Sequence, residues 1–217
     1  MKKTTVVFDL DGTLLDTLQD LANAVNYALE KQGMPKRTLE EVRQFVGNGV
    51  RLLMIRAVPD GERNPLFEET FALFKEYYGK HCNDNTKPYA GVVELIETLK
   101  EKGYAVAIVS NKIDFAVKEL NDLYFKGIVP VEIGEKEGIR RKPAPDTVFE
   151  ALKELGKTKE EAVYVGDFDV DLETAKNSGM PCISVLWGFR DKEFLAEHGV
   201  ERYAKTAEDV LRFVEEM

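Results

Sequence analysis

Apolar residues along this 217-residue chain follow two rhythms. Short unbroken runs occur at Thr5–Phe8, Tyr104–Val109, Ile128–Ile133, Ala162–Val165 and Cys182–Leu186. Their brevity and β-branched content predict buried parallel strands. Other stretches carry apolar residues at spacings of three and four. Gly91–Lys102 presents Val92, Leu95, Ile96 and Leu99 on one face and is closed by Gly103. Residues 113–123, 146–155, 170–178 and 207–216 read as further helices, and Pro145 sits where a helix begins. Strand runs alternating with amphipathic stretches predict an α/β fold around a parallel sheet.

The alternation fails between the first two runs. Residues 16–84 show helical periodicity alone: Leu18, Leu21, Ala22, Val25, Ala28 and Leu29 lie on one face, and Gly33 stops the helix. Thr38 and Glu41 have the spacing of a capping box. Phe67, Phe71, Phe74 and Tyr78 form an aromatic stripe suited to a helix core. A crossover between parallel strands needs far fewer residues than this. The segment is therefore expected to be a separate small helical domain inserted after the first strand, with residues 1–15 and 85–217 forming the sheet domain.

Composition narrows the function classes. The chain is 44% hydrophobic and 32% charged, as ordinary globular domains are. Its formal net charge is −9 and it has no Lys/Arg-rich run, which argues against nucleic acid as a partner. No stretch approaches the length of a membrane span, the N-terminal apolar run is too short for a signal peptide, and a cytoplasmic location is expected. Cys82 and Cys182 are the only cysteines and are expected to be reduced thiols. His81 beside Cys82 reads as a helix end near the surface rather than a metal pair.

Four polar clusters follow strand-like runs or precede helices, where open α/β sheets bind ligands. Asp9 and Asp11 follow Val6-Val7-Phe8, and Gly12 lets the chain turn sharply. Aspartate is a poor strand residue, and two carboxylates this close repel unless a cation such as Mg²⁺ relieves them. An Asx-type turn is the plainer alternative. Ser110-Asn111 follows the second run and suits either phosphate oxygens or a helix cap. Lys142 lies in the loop Arg140-Arg141-Lys142-Pro143-Ala144-Pro145-Asp146, whose prolines stiffen it. Asp167 and Asp171 follow Val163-Tyr164-Val165-Gly166, although acidic residues in a first helical turn are also simply stabilising.

In this order the clusters span nearly the whole chain. The sequence resembles the haloacid dehalogenase-like hydrolase superfamily, and within it the phosphoglycolate phosphatases. Further similar stretches are Phe45-Val46-Gly47-Asn48-Gly49, Arg141-Lys142-Pro143-Ala144-Pro145-Asp146 and Val185-Leu186-Trp187-Gly188-Phe189-Arg190. The resemblance implies a Rossmann-like core with the helical insert as a cap. It implies Asp9 as nucleophile, forming an aspartyl phosphate, and Asp11 as general acid and base. Thr13, Ser110, Asn111 and Lys142 would bind phosphate. Mg²⁺ would be held by Asp9, the Asp11 backbone carbonyl and Asp167, with Asp171 behind them. Gly47, Asn48 and Gly49 are candidates for substrate contact from the cap, or a plain interhelical turn. The implied substrate is a small phosphorylated metabolite, hydrolysed by a monomer or homodimer. One position departs from the pattern: Phe168 stands where relatives carry a small hydroxyl residue, which leaves Asp169 as the expected helix cap. A sugar-phosphate mutase, a pyrophosphatase and a phospho-accepting signalling module share parts of the same constellation.

Overall fold

The first apolar run forms a fully buried strand, β1 (Thr5–Phe8). In the computed structural model, which describes residues 2–47 and 49–217, it is followed by β2 (Leu15–Asp16), α1 (Leu18–Lys31), α2 (Leu39–Phe45), α3 (Val50–Ala57) and α4 (Phe67–His81). Next come β3 (Lys87–Pro88), α5 (Val92–Glu101), β4 (Ala105–Ile113), α6 (Asp114–Tyr124) and β5 (Val131–Glu135). The remainder is α7 (Asp146–Glu154), β6 (Ala162–Gly166), α8 (Asp169–Ser178), β7 (Cys182–Val185), α9 (Lys192–Glu197), β8 (Tyr203–Ala204) and α10 (Ala207–Glu215). Residues 1–15 with 88–217 make one compact unit and residues 16–87 a second.

The larger unit is a parallel six-stranded sheet in the order β5-β4-β1-β6-β7-β8. Side chains alternate across it with the strand period of two. Val6, Phe8, Val106, Ile108, Val163 and Val165 pack on one face with α5, α6 and α10 residues such as Ile96, Leu120 and Val210. Val7, Ala107, Val109 and Tyr164 pack on the other with Val148, Ala151 and Leu152 of α7 and Ala175 of α8. Helices on both faces explain why the sheet reads as continuous apolar runs. Each of the five expected runs contributes a strand to the sheet, although residues 128–130 precede β5 and Tyr104 and Leu186 flank theirs. Three short strands, β2, β3 and β8, and the six-residue α9 carry too few residues for any periodicity to show. β4 runs four residues past Val109, with its register against β5 shifting between Val109 and Ile113.

The smaller unit is helical, around a core of Leu21, Val25, Leu29, Val42, Leu53, Met54, Phe67, Phe71 and Phe74. The aromatic stripe stacks along α4, with ring centroids 6.1, 6.4 and 5.4 Å apart from Phe67 to Tyr78. The capping box is formed: Glu41 N donates to Thr38 Oγ1 at 3.2 Å, and Thr38 N donates to Glu41 Oε2 at 2.7 Å. Near the unit's two ends, buried Asp20 accepts hydrogen bonds from Asn85 N, Asn85 Nδ2, Thr86 N and Thr86 Oγ1, all between 2.8 and 3.0 Å. His81 Nδ1 pairs with Asp84 Oδ2 at 2.8 Å, and both cysteines are free thiols. Among the described residues, no helix is long and apolar enough to cross a membrane.

Removing the Asp20 carboxylate strands four donors, each worth about 1 kcal/mol in a typical net hydrogen bond. Asp20→Ala is therefore expected to destabilise the protein by about 3 kcal/mol or more, measured as a lower midpoint in urea unfolding.

Candidate active site

Strand register assembles the clusters. Phe8, the last residue of β1, pairs with Ile108 on one side and Val165 on the other. Asp9 and Asp167, which directly follow β1 and β6, therefore lie with Ser110 of β4 at one end of the sheet, the carboxyl end of its central strands. Asp9 N continues the ladder to Val165 O at 2.9 Å, which holds the carboxylate against β6. The chain then turns: Thr13, Leu14 and Leu15 all donate their N–H groups to Leu10 O, with Gly12 at φ +88°.

Lys142 is the centre of the site and is almost fully buried. Its ammonium donates to Asp9 Oδ1 at 2.5 Å, Asp171 Oδ1 at 2.8 Å and Tyr164 Oη at 3.1 Å. A lysine has three donors, and all three are used here. Tyr164 Oη in turn donates to Asp171 Oδ1 at 3.0 Å. Asn111 aims the lysine: its Nδ2 donates to Lys142 O at 3.0 Å and its Oδ1 accepts from Lys142 N at 2.8 Å. The expected phosphate-binding amide thus commits its oxygen and one of its two N–H donors to the backbone of Lys142.

Asp167 accepts from Thr13 Oγ1 at 3.0 Å on one oxygen and from Phe189 N at 2.7 Å on the other. Thr13, expected to bind phosphate, directs its hydroxyl at a carboxylate instead. Asp171 Oδ2 accepts from Asp167 N at 3.2 Å and Phe168 N at 3.1 Å. This corrects the expectation for the start of α8: Asp171 meets the buried Asp167 and Phe168 N–H groups there, while Asp169 Oδ1 is buried without a hydrogen-bond partner among the described residues. Phe168 carries no hydroxyl, and its ring lies under the Arg190 guanidinium, 4.1 Å from centroid to Cζ. Close packing fixes both carboxylates. A Cβ on Gly188 would lie 2.3 Å from Asp167 Cβ, one on Gly12 would lie 2.5 Å from Asp167 Oδ2, and one on Gly166 would lie 2.3 Å from Asp171 Cβ.

Asp11 stands apart from this cluster. Its carboxylate pairs with the Lys112 ammonium, Nζ to Oδ1 3.2 Å, and Lys112 is a buried lysine that the strand-end pattern did not single out. Ser110 is buried, and its Oγ accepts from Lys112 N at 3.1 Å, so its hydroxyl hydrogen remains available for another acceptor. The segment after β7 was legible only as a similar stretch, yet it closes the site. Trp187 Nε1 donates to Thr13 O at 3.0 Å, Gly188 packs on Asp167, and Phe189 N–H binds it. Gly47 and Gly49 belong to the helical unit, both with positive φ, and Asn48 lies outside the described residues.

The electrostatics call for a cation. Asp9, Asp167 and Asp171 are buried with ligand oxygens within 4.8 Å of one another, and among the described residues Lys142 is the cation that pairs with two of them. Burial and the Asp171 charge push Asp9 well above the usual carboxylate range, although Lys142 pulls the other way. Burial and Asp171 likewise raise Asp167 to about 7. Burial alone would lower Lys142, but Asp171 and Asp9 outweigh it and hold the ammonium charged. With all three carboxylates ionised, the one ammonium would leave two negative charges uncompensated in a buried pocket. An all-oxygen donor set of that charge fits a hard divalent ion such as Mg²⁺. Each Asp167 oxygen accepts one hydrogen bond and keeps a lone pair, whereas both Asp171 oxygens are taken twice. The fit is therefore through Asp9 and Asp167, with Asp171 positioning its neighbours.

Comparison with known proteins places the chain in a family. The family model for haloacid dehalogenase-like hydrolases matches residues 6–185. The chain is 35% identical to a phosphoglycolate phosphatase of Aquifex aeolicus over 85% of each protein. It is 34% identical to phosphoglycolate phosphatase 1 of Pseudomonas aeruginosa over 95% of this chain and 78% of that one. A crystal structure from Lactobacillus delbrueckii subsp. bulgaricus, whose phosphoglycolate phosphatase designation is provisional, superposes with a TM-score of 0.95. It is 37% identical and is covered, like this chain, in full.

The raised carboxylates link stability to pH. A carboxyl whose folded pKa exceeds its unfolded value favours the folded state at low pH. That contribution is present below the unfolded value of 3.8 and is lost as the pH rises to about 7 for Asp167. Asp167→Asn removes it. In EDTA, the unfolding temperature of that variant relative to wild type should rise by about 3–5 °C per pH unit from pH 5 to 7, then level off. Differential scanning calorimetry checks the slope.

Proposed function

We propose a reaction for this chain, which belongs to the haloacid dehalogenase-like hydrolase family: hydrolysis of a small phosphomonoester, 2-phosphoglycolate or a close relative, through a phosphorylated Asp9. The strongest support is the arrangement of Asp9 itself. It is a buried carboxylate at the carboxyl end of the central strand, clamped by Lys142 and set beside Asp167 and Asp171.

In this scheme an Asp9 oxygen attacks phosphorus in line and the bond from phosphorus to the ester oxygen breaks. Asp11 protonates the departing oxygen, then takes a proton from the water that cleaves the aspartyl phosphate. Lys142 favours the ionised form of Asp9 and offsets negative charge as the phosphoryl group arrives, and the Ser110 hydroxyl donates to a phosphoryl oxygen. Asp9, Asp167 and the Asp11 backbone carbonyl would hold Mg²⁺, with Asp171 and Thr13 fixing the carboxylates. When bound, that ion supplies charge neutralisation for the phosphoryl oxygens and the carboxylates. The helical unit is assigned the part of a cap, excluding bulk water and contributing specificity. The Trp187–Arg190 segment and the phosphoglycolate phosphatase relatives favour this reaction over a mutase or a phospho-accepting module.

Asp9→Asn is expected to lower phosphate release from 2-phosphoglycolate in Mg²⁺ by about 10³-fold or more. Circular dichroism should show an unchanged fold. EDTA should abolish wild-type turnover, and restored Mg²⁺ should recover it. Activity retained by Asp9→Asn would remove Asp9 as nucleophile.

A further inference from the structure

We infer that Arg190 and Phe168 are a pair of positioning residues for the divalent cation: the guanidinium, seated on the Phe168 ring, locks the chain after β7 to the start of α8 and so fixes Asp167 as a ligand. This rests on the reading above in which Asp9 and Asp167 hold Mg²⁺.

Asp167 is oriented from two separate stretches of chain. Its own peptide lies in the turn between β6 and α8, where Asp167 N and Phe168 N both donate to Asp171 Oδ2. The stretch after β7 reaches it from the other side. Phe189 N donates to Asp167 Oδ2 at 2.7 Å, and Gly188 packs so closely that a Cβ there would lie 2.3 Å from Asp167 Cβ. Sliding one stretch past the other by about an ångström would take that hydrogen bond out of range and free the carboxylate to turn. The next residue of each stretch ties it to the other. Phe168 follows Asp167, Arg190 follows Phe189, and Arg190 Cζ lies 4.1 Å from the Phe168 ring centroid.

The contact is built for a cation. Arg190 is 7% exposed although charged, and burying a charge is costly without compensation. Aromatic faces within about 6 Å of a guanidinium attract it, the more strongly as water is removed. A second ring, Phe194, lies 5.0 Å from the same Cζ and 6.1 Å from the Phe168 ring. The helix α9 delivers that ring. Asp191 caps α9 by accepting from Phe194 N at 2.8 Å, and fully buried Leu195 packs α9 with Leu172 of α8. A serine or threonine at 168 would present no ring face to the guanidinium. Phe168 and the buried Arg190 therefore depend on each other.

The test is Mg²⁺ affinity, measured without turnover. Isothermal titration calorimetry gives the Mg²⁺ Kd of wild type, Arg190→Met, Phe168→Leu and the double variant, and urea unfolding of each reports the fold. Each single variant should bind Mg²⁺ about tenfold more weakly, the usual effect of disturbing a group that orients a metal ligand. The double variant should bind no more weakly than the weaker single, because the same contact is lost in all three. The sign for Arg190→Met separates position from charge. Taking a positive charge from near a cation site would by itself tighten Mg²⁺ binding, so weaker binding reports a displaced ligand. Arg190→Lys is the mildest change and keeps the test open where a larger one does not fold. It retains the charge without the flat guanidinium and should weaken binding by a smaller factor. Folded variants that unfold at lower urea yet keep the wild-type Kd would overturn the inference and leave the Asp9–Asp167 metal reading intact. Wild type that binds no Mg²⁺ would overturn that reading and this inference with it.

Discussion

The site depends on one buried ammonium. Lys142 sits among Asp9, Asp171 and Tyr164 with every donor satisfied, which is what makes a dry cluster of carboxylates tolerable at all. Removing one partner from such an array leaves charge uncompensated where water cannot reach it. Much of the surrounding structure serves this contact. Asn111 grips the lysine by its own peptide groups, Asn177 holds the following Pro143 carbonyl, and Asp171 is braced by two backbone N–H groups. These residues come from β4, α8 and the loop before α7, so long-range pairing of strands must precede assembly of the site.

Glycine plays the complementary part. Gly12, Gly166 and Gly188 press backbone directly against Asp167 and Asp171. Hydrogen bonds set the direction of each carboxylate, and the absence of three side chains sets how closely the surrounding chain approaches. Donor and acceptor geometry in a phosphoryl-transfer site tolerates little error, and here it is fixed by backbone rather than by long side chains.

Much of this was legible in the sequence. Asp9, Lys142, Asp167 and Asp171 could be placed together because each follows a buried run or opens a helix, and parallel strands bring such points to one edge. The helical insertion was legible because its periodicity differed from everything around it. Hydrogen-bond direction was not. Thr13 and Asn111 look like phosphate donors from their positions, yet one turns to Asp167 and the other to the Lys142 backbone. Nothing in residue type or spacing distinguishes those outcomes. Lys112 was hidden by the β4 extension: a lysine three residues after an apolar run reads as solvent-facing, yet its side chain pairs with Asp11 and is only 6% exposed. Phe168 looked like a missing cap, but the N–H groups it left were met from three residues further along, and its ring found a guanidinium instead.

Asp20 has a consequence of a different kind. By accepting from Asn85 and Thr86, it ties the place where the chain enters the helical unit to the place where it leaves. To the sheet, the whole insertion is then topologically a short link whose ends are already joined, so its length adds little loop-closure entropy. A segment fastened in this way is a graftable module. Its helices can lengthen, shorten or be exchanged between relatives while the strand that carries Asp9 keeps its register.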